Sequence, residues 1–231
     1  ARKLAYSASF GKTKFNESTI ADYKRMLSEY DKIAVRENSA VTLLHDWGLH
    51  NCIGQVLDPT LLLDKEEWKR LLIKESDAKK YDGEKYILVY QIHNDPKLSE
   101  YAKRLASQVG YELLRVNPYF HQRIRGGKFI CCPDLGEFLA LIDNASCIVT
   151  DSFHGTCFSI NFGKRFIEIL PNNATGTRNQ SILELTGLSH RILRGFNDYS
   201  LFDEGIDYDK VHGILKEERE KSIEVMKELL N

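Results

Sequence analysis

Residues 145–169 read ASCIVTDSFHGTCFSINFGKRFIEI, an apolar run that breaks at Asp151 and Ser152, continues with helical spacing and returns to a second apolar run. Cys147–Thr150 is short, β-branched and bounded by polar residues, as a buried strand is. Ser152 or Asp151 can cap a helix opening near Gly155, on which Cys157, Phe158 and Phe162 face inward. Strand, turn, helix, strand is the repeating unit of a parallel sheet, so this stretch predicts an α/β protein. Working outward, strands are expected at Lys3–Ser9, Lys32–Arg36, Gly54–Leu57, Tyr86–Ile92, Tyr111–Val116, Lys128–Cys131 and Arg165–Leu170. Helices are expected at Glu17–Tyr30, Ser39–Trp47, Lys65–Lys74, Lys97–Val109, Leu135–Asn144, Ser181–Leu185 and Tyr208–Leu230.

Between the two runs of alternation lies KESDAKKYDGEK, residues 74–85, the most polar stretch of the middle of the chain, which reads as a linker. It divides residues 1–75, resembling the end of an N-terminal Rossmann-like lobe, from residues 84–231, long enough for a C-terminal Rossmann-like lobe. In the last helix an apolar stripe of Val211, Ile214, Leu215, Ile223, Met226 and Leu230 is interrupted by charge, which predicts a half-docked helix.

Composition narrows the function. The chain has 231 residues, 42% hydrophobic and 28% charged, with 32 Lys plus Arg against 33 Asp plus Glu. A net charge of −1 supplies no overall field to gather nucleic acid or anionic lipid, so any anionic ligand must be held locally. The longest apolar run, Tyr86–Ile92, is far short of the roughly 18–20 residues of a membrane span. Five cysteines include the adjacent Cys131 and Cys132 but no C-x-x-C, and read as buried, reduced thiols. The histidines and carboxylates show no metal-ligand spacing, and neither dinucleotide nor P-loop glycine patterns occur.

In an open parallel sheet, ligands bind beyond the carboxyl ends of the strands. Three loops should share that edge: His93–Asp95, Asn117–Gly127 and Asp151–Gly155. The last offers backbone N–H groups at His154, Gly155 and Thr156 for a phosphate or carboxylate, with Gly155 removing a side chain where an anion would approach. There the positive end of the helix dipole disfavours an imidazolium at His154, whereas Asp151 or a bound anion favours it. Arg36, ending the strand KIAVR, and Arg178, in the polar loop PNNATGTRNQ, could clamp an anion or simply pair with neighbouring acids. His121, Arg123, Arg125 and Lys128 around Gly126–Gly127 form a local basic cluster, read as a solvated hairpin that could touch an anionic acceptor. Asp95 is a candidate base or a turn residue before Pro96. Glu168, alternating with Phe166 and Leu170, is turned to a cleft or paired within the sheet.

YSASFG at 6–11, IAVREN at 33–38, LDPTLLL at 57–63 and DLGEFLALIDNASCIVTDSFHGTCFSINFGKRFIEI at 134–169 closely resemble the polysaccharide pyruvyl transferase family. TDSFHGT is the most specific part. The resemblance implies a two-lobed, glycosyltransferase-B-like fold and transfer of an enolpyruvyl unit from phosphoenolpyruvate, the co-substrate, to a sugar, giving a pyruvate ketal and phosphate. It assigns donor-anion binding to Arg36 and the general acid to His154, has Asp151 and Ser152 orient His154 or the phosphate, and places Arg178 near the site. It implies no metal or other cofactor, a sugar or lipid-linked saccharide acceptor, and a cytoplasmic bacterial setting in capsule or exopolysaccharide assembly, with peripheral association at the inner membrane face. The family's glycine-rich N-x-G-D-type opening has no match here, so the first lobe is expected to be truncated. Acceptor sugar and oligomeric state are not encoded in any motif. Two other readings remain open: a nucleotide-sugar glycosyltransferase, with Glu168 or another acid on the ribose, and a non-catalytic sugar-binding lobe.

Overall fold

The computed structural model describes residues 1–171 and 176–231. In chain order the elements are β1 (Leu4–Ala8), α1 (Glu17–Leu27), β2 (Lys32–Val35), α2 (Asn38–Asp46), β3 (Cys52–Gln55), α3 (Lys65–Leu72), α4 (Glu75–Tyr81), β4 (Tyr86–Tyr90) and α5 (Pro96–Val109). They continue as β5 (Glu112–Asn117), β6 (Lys128–Cys131), α6 (Leu135–Asn144), β7 (Cys147–Thr150), α7 (Phe153–Asn161), β8 (Phe166–Glu168), α8 (Thr177–Leu185) and α9 (Tyr208–Leu230). Both sheets are wholly parallel, as the alternation predicts.

The chain forms two compact units. The first comprises Ala1–Leu62, Asn172–Leu188 and Asp209–Asn231, the second Leu63–Pro171 and Ser189–Tyr208. The spatial division thus differs from the sequence division at residues 75–84: it falls at Leu62, and the chain returns to the first unit twice. The expected linker is not one, because Glu75–Tyr81 is helical. Its short apolar content hides its partner: Tyr81 is buried and donates its hydroxyl to Glu137 Oε1 at 2.8 Å, and Lys80 pairs with the same carboxylate at 2.5 Å.

In the first unit the order is β1-β2-β3. Central β2 is buried on both faces, as a parallel strand should be, with Ile33, Ala34 and Val35 at most 2% exposed. Ile33 and Val35 pack with Ala40, Leu44 and Trp47 and the rings of Phe10, Phe15 and Tyr23. Ala34 packs instead with Val56 and Leu229 of α9. The inward face of α9 carries Val211, Leu215, Ser222 and Leu229, so the expected stripe holds at Val211 and Leu215 and slips by one residue in the second half, where Ile223 and Leu230 are exposed. Ser222 takes an inward position because its hydroxyl accepts the Leu57 N–H at 2.9 Å.

In the second unit the order is β6-β5-β4-β7-β8. Ile87, Leu88 and Val89 of central β4 are fully buried, each contributing about 1.5–3 kcal/mol of apolar burial. α5 starts on an Asp95 cap to Lys97 N at 2.9 Å and stops at Gly110, whose φ of +71° favours glycine. Its Leu98, Ala102 and Leu105 face the sheet core. Successive connections run outward from β4 in opposite directions, to β5 on one side and, after β6, to β7 on the other. The reversal between β4 and β7 is a topological switch point, where α/β sheets bind ligands. Among the described residues no helix is long and apolar enough to cross a membrane.

Candidate functional site at the switch point

The loops leaving β4 and β7 are tied together by Asp151. Its Oδ1 accepts the Ile92 N–H at 2.7 Å and its Oδ2 the His93 N–H at 2.9 Å, while His93 Nδ1 stands 3.3 Å from Oδ2. Asp151 is 2% exposed, and burial pushes its carboxyl above the usual range, against the two N–H groups and His93 that favour the charged form. It therefore fastens one strand end to the next and does not cap α7. His93, half-buried at this junction, is a site residue that sequence reading passed over; no local pattern couples it to an acid 58 positions later.

Ser152 caps α7, accepting Gly155 N–H at 3.3 Å. Its own N–H goes to Thr150 Oγ1 at 3.0 Å, and that hydroxyl donates to Tyr90 O at 2.7 Å. Gly155 is needed here for packing: a Cβ would lie 2.4 Å from Thr150 Oγ1 and 3.0 Å from Tyr90 Cδ1. The glycine thus has a packing reason of its own, beside the expected one of leaving room for an anion. Thr156 is likewise committed, its N–H to Ser152 O at 2.9 Å and its hydroxyl toward Ser152 O at 2.9 Å and Glu168 Oε2 at 2.5 Å. Glu168 faces that buried hydroxyl, fully buried in the sheet. Of the seven residues Phe153–Ser159 opening α7, His154 alone is exposed, beside the Phe153 ring at 5.4 Å. A buried, capped helix start thus presents one imidazole and the positive end of its dipole at the switch point.

Arg36 and Arg178 belong to the first unit. Arg36 Nη1 donates to Asp58, itself 3% exposed and also holding Thr60, so part of the guanidinium fork is spent internally. The next residue, Glu37, is 1% exposed; its Oε1 accepts Ser9 Oγ at 2.9 Å and the Phe10 and Gly11 N–H groups at 3.0 Å. Arg178 lies on α8, not in a loop, with its guanidinium against Gly11: a Cβ there would be 3.6 Å from Nε. Asn172–Thr175 of the expected loop lie outside the described residues.

Asp95 is a helix cap, not a free base. Cys147 and Cys157 are buried, the Cys147 thiol pushed up to about 12 by burial, but Cys131 and Cys132 are exposed with Sγ atoms 3.7 Å apart. The expectation of buried thiols fails at that pair because β6 ends there. Among the described residues no group of three or more His, Cys, Asp or Glu side chains is placed to hold a metal ion.

No curated protein matches the sequence. Solved structures match in fold. A UDP-N-acetylglucosamine 2-epimerase of Neisseria meningitidis bound to UDP-N-acetylglucosamine superposes with TM-score 0.58 at 13% identity over 99% of this chain and 70% of its own. The epimerase of Methanocaldococcus jannaschii, in complex with the same sugar nucleotide and UDP, gives 0.55 at 15% identity over 86% and 61%. A protein of Listeria monocytogenes described as a candidate enzyme of that type gives 0.60 at 13% identity over 90% of this chain, which spans 61% of its length. These are glycosyltransferase-B-type parallel α/β folds, and at such identity they speak for the fold alone. The family model for polysaccharide pyruvyl transferases matches residues 1–173, three quarters of the sequence with all four stretches that carry the resemblance, and the chain belongs to the polysaccharide pyruvyl transferase family.

Proposed function

We propose that this chain supports transfer of an enolpyruvyl unit from phosphoenolpyruvate to a sugar of a cell-surface polysaccharide precursor, with His154 as the general acid. The observation that carries the reading is the exposed His154 on the first turn of a Ser152-capped helix at the switch point. A trianionic donor suits a helix N-terminus, and its arrival favours the imidazolium that the dipole alone disfavours. His154 then gives its proton to the methylene carbon, C2 becomes electrophilic, and a sugar hydroxyl adds with loss of its proton. Phosphate leaves with the bridging electrons, and a second hydroxyl closes the ketal, its proton leaving with solvent or phosphate. Asp151 is a positioning residue, and His93 on the loop that it anchors is the candidate base in place of Asp95. The anion-binding roles of Arg36 and Arg178 are proposals about the first unit, and the cytoplasmic setting at the inner membrane face belongs to the same reading.

The test is a thermal-shift titration with phosphoenolpyruvate, uridine diphosphate and inorganic phosphate, for the wild-type chain and His154→Ala. At a hundredfold excess over its dissociation constant a ligand stabilises by about 2.7 kcal/mol, or roughly 5–11 °C for a chain of this size. A shift selective for phosphoenolpyruvate and smaller in His154→Ala supports the assignment. Selectivity for the uridine nucleotide selects the nucleotide-sugar reading instead.

A further inference from the structure

The basic cluster around Gly126–Gly127 gains two members in the folded chain, and one is an electrostatic anomaly. Arg115 in β5 is 1% exposed, yet its guanidinium meets only neutral acceptors, Gly126 O at 3.3 Å and Gln91 Oε1 at 3.1 Å. Its Nη2 is buried without a hydrogen-bond partner. Burial pushes this arginine down to about 10, and the charge of Arg125 adds to the effect. Arg125 donates Nη2 to Asn94 Oδ1, and its Nη1 is likewise buried without a partner. Lys103, from α5, reaches the same spot: a Cβ on Gly126 would lie 3.5 Å from its Nζ. Among the described residues no carboxylate forms an ion pair with Lys103, Arg115 or Arg125, whereas elsewhere in the unit Asp143 pairs with both Lys65 and Lys69.

A buried arginine without a counter-charge costs several kcal/mol by desolvation, and two like charges close together add to it. Three cations from three elements, with nitrogen atoms left over, are the donor set of an oxyanion site. Gly127 and Lys103, beside these nitrogens, are exposed. We infer that Lys103, Arg115 and Arg125 around Gly126 form a binding site for a phosphate group, separate from the His154 helix. The site is argued without the pyruvyl-transfer reading; its ligand rests on that reading, which places the donor at the His154 helix and leaves the diphosphate of a lipid-linked acceptor for this one.

Pyrophosphate is the probe, titrated calorimetrically into the wild-type chain, Lys103→Gln, Arg125→Gln and His154→Ala. Both altered residues are at least partly exposed and each variant removes a like charge near Arg115, so the variants stay folded with an unliganded melting temperature equal to or above that of the wild type. Loss of one charged hydrogen bond is expected to weaken binding about tenfold or more in Lys103→Gln and Arg125→Gln, with His154→Ala unchanged. Competition by geranyl diphosphate and not by phosphoenolpyruvate supports the acceptor diphosphate as the ligand; competition by phosphoenolpyruvate alone overturns that assignment. No pyrophosphate binding at millimolar concentration, or binding indifferent to both substitutions, overturns the inference. Binding lost only in His154→Ala overturns it too, and moves the phosphate to α7.

Discussion

The β2–α2 junction of the first unit and the β7–α7 junction of the second solve the same problem with different residues. Each is a parallel strand running into a helix, and in each a buried carboxylate just past the strand receives backbone N–H groups from the loop after the neighbouring strand. At β2 that acid is Glu37, which is also the N-cap residue of α2 and, having its side chain turned to Ser9–Gly11, makes no cap hydrogen bond. The N–H of Asn38 goes instead to Ser181 Oγ on α8 at 3.3 Å. At β7 the two tasks are separated: Asp151 ties the loops and Ser152 caps the helix. The separation lets α7 start abruptly with its second residue, His154, standing clear. At β2, where Glu37 holds the cap position without capping, the adjoining Arg36 is paired with Asp58.

The largest break in the comparison is functional. His154→Ala is expected to lower pyruvyl transfer about 10²- to 10⁴-fold while leaving the melting temperature unchanged, because the side chain is exposed; matched rate and melting curves check this. Gly155→Ala should do the reverse, costing about 1–3 kcal/mol through overpacking against Thr150, read by urea denaturation.

A sharper contrast comes from the two acids. Asp151→Asn keeps one acceptor oxygen and turns an amide N–H₂ toward the other backbone N–H, so about 1–3 kcal/mol should be lost. Glu37→Gln can leave all three donors on its carbonyl oxygen and put the amide where Oε2 has no partner, so the change should stay under about 1 kcal/mol. Equal losses at the two positions would remove the distinction drawn between them.

The smallest effect is in pH. The folded-state carboxyl of Asp151 lies above its unfolded value, so between those two values the folded chain binds more protons and the Asp151 contribution to stability falls as pH rises. Asp143 has the opposite sign: burial opposes its charge, yet Lys65 and Lys69 hold its carboxyl below the usual range, giving stability that is lost as pH falls through the lowered value. Denaturation midpoints of wild type and Asp151→Asn across the acid range should differ by a slope of that sign.

Periodicity and turn chemistry expose much of this fold to a reader of the sequence. Lys128–Cys131, Leu135–Asn144, Cys147–Thr150 and Tyr208–Leu230 have the expected bounds. What stays hidden depends on partners distant in the chain. α4 looks like a linker because its fixing carboxylate, Glu137, is 56 residues from Tyr81. Ser222 breaks the phase of α9 for the sake of an N–H 165 residues away. At the site, Ser152 and His154 stand out locally, whereas the pairing of Asp151 with the His93 loop and the demand of Thr150 for a glycine at 155 need the neighbouring strand in place.

The most direct measurement is a pH titration of the His154 ring by NMR, assigned with His154→Ala, with and without phosphoenolpyruvate. An anion arriving at the start of α7 should raise the midpoint of His154, by about one pH unit for about 1.4 kcal/mol of interaction. A His154 midpoint indifferent to saturating phosphoenolpyruvate would contradict the account, since the acid and the donor would then not meet at this helix.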